Sequence, residues 1–339
     1  RPDRFVARLP FRDKRFDLVA ESRIKPTSFA RLVEAMEVAP EQVDVFRSMF
    51  TTSPPQRISP NYSGDEVRVR YFGHACVLIE SADVSVLIDP MVAWQSDDGA
   101  ARLAFADLPD VIDYVFLTHN HQDHFCPEVL LQLRSRIGKI VVPRNNANTI
   151  ADPSVKLTLR HLGFDNVEVM DPLDAIELPH GRMTSLPFYG EHADLSINSK
   201  QGMLLELKDR RFVFLADANC TDRMLYRRMA ERIGKVDAMF IGMECDGAPL
   251  TWLYGVYMAS AALRKDDESR RLSGSNADRA WAVVEELGVT RAYVYAMGQE
   301  PWLKHLLGLE YSPDSVQIVE SNRFVQRCKD AGFVSERLY

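Results

Sequence analysis

Three of the chain's eight histidines fall within six residues, in the run Thr118-His119-Asn120-His121-Gln122-Asp123-His124, directly behind the apolar stretch Tyr114-Val115-Phe116-Leu117. Nothing else in the sequence restricts the fold as much. On an extended segment leaving a strand, residues two apart point the same way, so His119 and His121 share a face. Asp123 and His124 come where the chain turns into the next helix, and they can face a second point close by. Four ligand-type side chains in so short a span can therefore serve two metal ions, with two ligands each. Neutral imidazole suits zinc, iron and manganese, and a carboxylate adds charge neutralisation and tolerates harder ions. The bland alternative is a polar surface loop, which the concentration of a scarce residue behind an apolar strand disfavours.

Around this run, strands and helices alternate. Val67–Phe72, Cys76–Glu80 and Val84–Asp89 read as strands joined by hairpins at Gly73 and Ser81-Ala82-Asp83. A helix is expected over Cys126–Ile137, with Pro127 in its first turn. Strands follow at Lys139–Pro143, Asn166–Met170 and Arg182–Pro187, then a hairpin of Met203–Lys208 and Phe212–Leu215 turning at Asp209-Arg210. Helices are expected at Asp222–Ile233, Asn276–Leu287 and Arg323–Ala331, and strands at Ala238–Gly242 and Ala292–Ala296. Interior strands with helices outside point to an α/β fold, two sheets sandwiched between helices. No internal repeat is legible.

Residues 1–66 differ in texture. Thr27–Met36, capped by Thr27 or Ser28, and Glu41–Met49 read as short helices, and two breaker-rich stretches follow, Thr51–Pro55 and Ser59–Asp65. This segment is expected to be an N-terminal appendage or linker, the end of a missing upstream domain, with residues 67–339 forming the catalytic domain. The chain opens on Arg1-Pro2 without an initiator methionine, as a fragment would.

At 46% hydrophobic and 26% charged residues, the chain can build a sizeable core. Its net charge of -7 argues against nucleic acid as a partner, because phosphate binding needs a basic surface. Five scattered cysteines without a CxxC pair suit free thiols in a reducing cytoplasm. No apolar stretch is long enough for a membrane span, and no signal-peptide core is present.

The run Thr118–His124 resembles the HxHxDH signature of the metallo-β-lactamase superfamily. Phe72-Gly73-His74-Ala75-Cys76 and Leu87-Ile88-Asp89-Pro90 are similar to the first hairpin of that fold, and Phe214-Leu215-Ala216-Asp217 to the strand whose terminal aspartate bridges two metals. The resemblance covers roughly residues 67 to 300 and implies the αββα sandwich. In the superfamily's hydrolases a mid-chain histidine completes the first metal and a final histidine the second. Here the mid-chain loop reads Tyr189-Gly190-Glu191-His192-Ala193-Asp194, so either Glu191 or His192 can be the ligand. At the expected final position stands Ser273-Gly274-Ser275-Asn276, and no histidine occurs between His192 and His305. The second metal then keeps an open position for water, substrate or O₂.

With Glu191 as ligand the site holds three imidazoles and three carboxylates, a ratio that suits redox-active iron. This pattern is similar to the di-iron β-hydroxylases of nonribosomal peptide biosynthesis, the chloramphenicol-pathway type. That resemblance implies two iron ions, with His119, His121 and Glu191 on one, Asp123 and His124 on the other, and Asp217 between them. Glu191 and Asp217 are then also the candidate catalytic residues. It implies O₂ as co-substrate, an external electron donor such as a reductase or ferredoxin, the aminoacyl carrier domain of a synthetase as partner, and a homodimer formed through an upstream domain. The rival readings are a dinuclear zinc or manganese hydrolase of phosphodiesters, lactones or thioesters, and a non-catalytic scaffold with a degenerate site.

Other features carry less. His74, in a tight turn, reads as a hydrogen-bonding neighbour of the site more than as a ligand; His161 and His180 read as ordinary surface or packing residues. Glu244-Cys245-Asp246-Gly247 is either pocket lining or a solvated turn. Trp94, Trp252, Tyr254 and Tyr257 are candidates for an aromatic wall. Arg223, Arg227 and Arg228, with Arg264, Lys265, Arg270 and Arg271, are either a docking patch for an acidic carrier or a solvated face.

Overall fold

The computed structural model describes residues 4–94, 100–145, 152–190, 197–245, 259–261, 263, 274–304 and 310–339. The N-terminal segment holds three short helices, α1 (Arg15–Glu21), α2 (Phe29–Ala35) and α3 (Val43–Arg47). Ser28 caps α2 by accepting from the Arg31 N–H. These helices share a small aromatic core in which Leu32, Met36 and Phe46 are buried against Phe5, Phe16, Phe29 and Phe50.

Two sheets follow. In the first, β1 (Arg68–Tyr71), β2 (Val77–Glu80) and β3 (Ser85–Ile88) run antiparallel, and β4 (Ile112–Phe116), β5 (Ile137–Pro143) and β6 (Val167–Met170) continue in parallel. In the second, β7 (Ala175–Leu178), β8 (Gly181–Leu186), β9 (Gly202–Leu207) and β10 (Arg210–Phe214) form an antiparallel meander. The parallel strands β11 (Ala238–Ile241), β12 (Arg291–Val294) and β13 (Val334–Arg337) complete it. Each sheet thus passes from antiparallel to parallel pairing, a likeness between the halves that the sequence does not display.

The central strands β2, β3 and β11 are buried on both faces, which is why they read as unbroken apolar runs. Alternate residues enter different layers. Val77, Ile79, Val86, Ile88, Phe116 and Val141 face Met203, Leu205, Phe212, Phe214 and Phe240 between the sheets. Leu78, Leu87, Val115, Ile140 and Val142 face outward onto α4 (Pro127–Leu133) and α5 (Val155–His161) through Val129, Leu130, Leu133, Val155 and Leu159. Across the molecule, Val213, Met239, Ile241 and Val294 face α6 (Arg223–Ile233), α7 (Ala277–Leu287) and α8 (Val316–Asp330). The result is the expected αββα sandwich. Each large apolar side chain so buried contributes about 1.5–3 kcal/mol.

The structure departs from the sequence reading where tertiary contacts override local pattern. The helix expected to reach Ile137 ends at Leu133, followed by a 3-10 turn at Arg134–Arg136. Arg134 and Arg136 are buried there, and they donate to backbone carbonyls at Phe11, Asp13 and Leu162 and at Leu108 and Pro109. The hairpin turns at Lys208-Asp209, one residue early, with Lys208 at positive φ. Helix α8 begins at Val316 instead of Arg323. Strands β7 and β13, of four residues each, and helices α1 and α5, of seven each, are too short to show a period of their own; in β13 only Ser335 is buried. No disulfide joins the five cysteines, all of which are buried. Among the described residues no helix is long and apolar enough to cross a membrane.

The N-terminal segment is tied to the sandwich through Arg134, which reaches Asp17 Oδ1, Phe11 O and Asp13 O, each at 2.7 Å. Further along, Arg57 donates to Ala106 O at 2.7 Å and Leu108 O at 3.0 Å. Replacing Arg134 by alanine is expected to speed proteolysis within the first 66 residues while the sandwich stays resistant, read by limited digestion and mass spectrometry. Unchanged cleavage there would show that the remaining contacts, those of Arg57 among them, hold the segment without Arg134.

Candidate metal centre

The histidine run leaves β4 and is at once stapled to the opposite sheet. Gln201 N donates to Thr118 O at 2.8 Å, the Gln201 amide donates to Leu117 O at 3.0 Å, and His119 bridges Lys200 in antiparallel fashion. The chain then folds back, with the N–H groups of His124 and Phe125 donating to His121 O. This turn gathers the rings of His119, His121 and His124; centroids lie 4.2 Å apart for His119–His121 and for His119–His124. All three rings are buried.

Asp217 arrives from the other sheet, two residues past Leu215, after Ala216 takes a left-handed φ of 47°. Its Oδ2 lies 3.3 Å from His119 Nε2 and 3.1 Å from His124 Nε2. A side chain at position 242 would collide with this carboxylate, because a Cβ on Gly242 would stand 2.8 Å from Asp217 Oδ1. Asp123 lies on the far side of His124, with its Oδ2 3.8 Å from His124 Nε2 and 3.0 Å from His74 Nε2. The donor atoms form two compact groups, His119–His121–Asp217 and His74–Asp123–His124. Asp217 Oδ2 touches one imidazole of each.

The carboxylate of Asp89 sets the ring orientations. It stands just past β3, beside the end of the parallel neighbour β4, and receives Thr118 N at 2.8 Å and Thr118 Oγ1 at 2.6 Å. Because that hydroxyl proton is used on Asp89, Thr118 Oγ1 accepts from His119 Nδ1 at 2.9 Å. His124 Nδ1 donates to Asp89 Oδ2 at 2.8 Å. Both imidazoles therefore hold a proton on Nδ1 and direct Nε2 toward Asp217, where a bound cation would take the place of an Nε2 proton.

Imidazole nitrogens and carboxylate oxygens converge here in a dry interior. Asp123 Oδ1, His124 Nε2 and both Asp217 oxygens are buried with no adequate hydrogen bond. Burial opposes the charged forms, yet mutual attraction outweighs it. His124 stands well above the ordinary imidazole value, raised by Asp217, Asp123 and Asp89. Asp217 stands well below the carboxylate range because His124 and His119 face it, and Asp123 is lowered by His124 and His74. The donor set thus fits a pair of divalent metal ions.

The structure brings together His119, His121, Asp123, His124 and Asp217. Glu191 and His192 lie outside the described residues, as do His305, Trp252, Tyr254, Tyr257, Asp246, Arg264, Lys265, Arg270 and Arg271. Trp94 is exposed. Arg223 and Arg227 both engage Glu286, and Arg228 pairs with Glu231, so this basic cluster is an ion-paired helix face. Ser275 packs beside the site's aspartate loop, its hydroxyl donating to Ala218 O at 3.1 Å. Asp89 was read only as part of a hairpin. Its position after four buried strand residues is the available signal, but its partners lie 29 and 35 residues away.

Residues 68–244, just over half of the chain, match a family model described as a beta-lactamase superfamily domain. The chain is 36% identical over its whole length to the Streptomyces venezuelae protein named 4-amino-L-phenylalanyl-[CmlP-peptidyl-carrier-protein] 3-hydroxylase, of which it spans 64%. The crystal structure of CmlA, a diiron beta-hydroxylase from Streptomyces venezuelae, superposes with a TM-score of 0.87 at 36% identity, covering 98% of this chain and 62% of that one. The metallo-beta-lactamase fold protein YhfI from Bacillus subtilis, at 14% identity and a TM-score of 0.50 over 81% of this chain and 97% of that one, shares the fold. By its family match and its two-sheet αββα architecture, the chain belongs to the beta-lactamase superfamily, with the metallo-β-lactamase fold.

Proposed function

We propose that this chain is a non-haem di-iron monooxygenase that uses O₂ to β-hydroxylate an amino acid tethered to a carrier domain of a nonribosomal peptide synthetase. The observation that carries the reading is the 36% identity along the entire chain to a hydroxylase named for a peptidyl-carrier-bound amino acid. The high structural likeness to a di-iron β-hydroxylase supports the same metal pair. The chain spans less than two thirds of either relative, so substrate and partners are part of the proposal.

In this reading His119, His121 and Glu191 hold one iron, Asp123 and His124 the other, and Asp217 lies between them. When bound, the iron pair supplies the two-electron activation of O₂ that hydroxylating a C–H bond requires, with electrons from an external reductase or ferredoxin. The protein's own part is positional. Asp89 and Thr118 present the Nε2 atoms of His124 and His119, and the buried setting keeps bulk water from the reacting centre. Delivery of the amino acid on a carrier arm would give a high effective concentration at the site. Pairing of two copies through an upstream domain belongs to the same proposal.

Metal analysis of protein grown with iron is expected to find about two irons per chain. With reductant and O₂, an aminoacyl carrier domain should gain the mass of one oxygen atom. Zinc instead of iron, with turnover of a phosphodiester, lactone or thioester, would replace the oxygenase with a hydrolase. Glu191→Ala should lose iron and hydroxylation, whereas His192→Ala should retain iron; the reverse result would exchange their roles. Asp89→Asn keeps the shape but disturbs the proton arrangement on His124, and should weaken metal retention by about 10- to 100-fold in chelator competition. Wild-type affinity in that variant would remove Asp89 from the ring-orienting role.

A further inference from the structure

His74 lies within ligand distance of Asp123 and His124, so proximity alone makes it a candidate fourth imidazole of the centre. Its hydrogen bonds say otherwise. The residue sits in the turn between β1 and β2 at a left-handed φ of 48° and is buried. Its ring Nδ1 lies 3.1 Å from the backbone N–H of Gly298, just past β12. A backbone N–H can only donate, so Nδ1 is an acceptor and carries no proton. The neutral ring then has its proton on Nε2, 3.0 Å from Asp123 Oδ2. His119 and His124 are arranged the other way round, with Nδ1 as the donor and Nε2 facing Asp217.

The backbone around the ring is also held. The N–H of His74 donates to the buried carboxylate of Glu300, which accepts the Tyr71 hydroxyl at 2.7 Å, and His74 O accepts from Ala296 N at 2.9 Å. Turn, ring and acceptor are thereby fixed by the loop that follows β12.

We infer that His74 is a positioning residue that donates to Asp123, not a metal ligand: by occupying Oδ2 it leaves Asp123 Oδ1 as the oxygen presented to a cation. Oδ1 is the buried atom of that carboxylate without a hydrogen-bond partner. The inference rests on the metal-centre part of the proposed function and is independent of the reaction catalysed.

The test uses zinc sulfate as a diamagnetic probe and ¹⁵N-histidine-labelled protein, with His74→Gln to assign the signal. The expected spectrum has His74 protonated on Nε2 and bare on Nδ1, both in metal-free protein and after zinc is added. A proton on Nδ1, or loss of the Nε2 proton on zinc loading, would overturn the inference. In chelator competition, His74→Ala should bind zinc about 10- to 100-fold more weakly, while His74→Gln, whose amide can donate to Asp123, should stay within about threefold of wild type. A glutamine variant as weak as the alanine one would count against a donor role. If wild-type protein bound no zinc or iron, the metal-centre reading would fail, and the tautomer signal would still decide the His74–Asp123 bond.

Discussion

The carboxylate of Asp89 is the point from which the metal centre is organised. It accepts a backbone N–H, a hydroxyl and an imidazole N–H, all from the segment Thr118–His124. A buried charge without such partners would be expensive, and with them it becomes a rigid template. Through one threonine hydroxyl its influence passes to a second imidazole, so a single acid sets the tautomers of both His119 and His124. Without that setting, either ring could turn a proton toward the centre and repel a cation.

The two sheets exist in a form that makes such a template possible. Asp89 follows β3, Thr118 follows β4, Asp217 follows β10 and Gly298 follows β12, all at the carboxyl ends of strands engaged in parallel pairing. In open α/β sheets this is where loops converge and ligands bind. The backbone is bent to suit. His74, Asp89, Ala216 and Ala296 have φ between 38° and 54°, left-handed values that cost a non-glycine residue about 1–3 kcal/mol. That four such residues surround one site shows local preference yielding to the packed scaffold.

Opposed tautomers divide the labour among the histidines. Rings with Nε2 lone pairs inward can bind a cation, and the ring with Nε2–H inward can only hold a carboxylate in place. Counting imidazoles therefore overstates the ligand number. The absence of a histidine at Gly274–Asn276 is not made good by His74, because the Gly298 N–H occupies the nitrogen that would otherwise take the proton.

What the sequence determined by itself was local. Three histidines and an aspartate spaced over six residues imply a two-metal centre because a strand exit and a turn fix their mutual directions within a few bonds. The double-faced apolar strands imply a sandwich because only layers on both sides can bury them. Asp217 was legible through its resemblance to a known strand end, and α6 and α7 as helices expected from Asp222 and Asn276, the residues that cap them in the structure. The tertiary structure alone decided the roles of Asp89 and Glu300, the partners of His74, the end of α4 at buried Arg134, and the course of β7 and β13. Those depend on partners tens to hundreds of residues away, such as Gly298 for His74, and a hydrogen bond closed across two sheets leaves no periodicity or spacing in the chain to read.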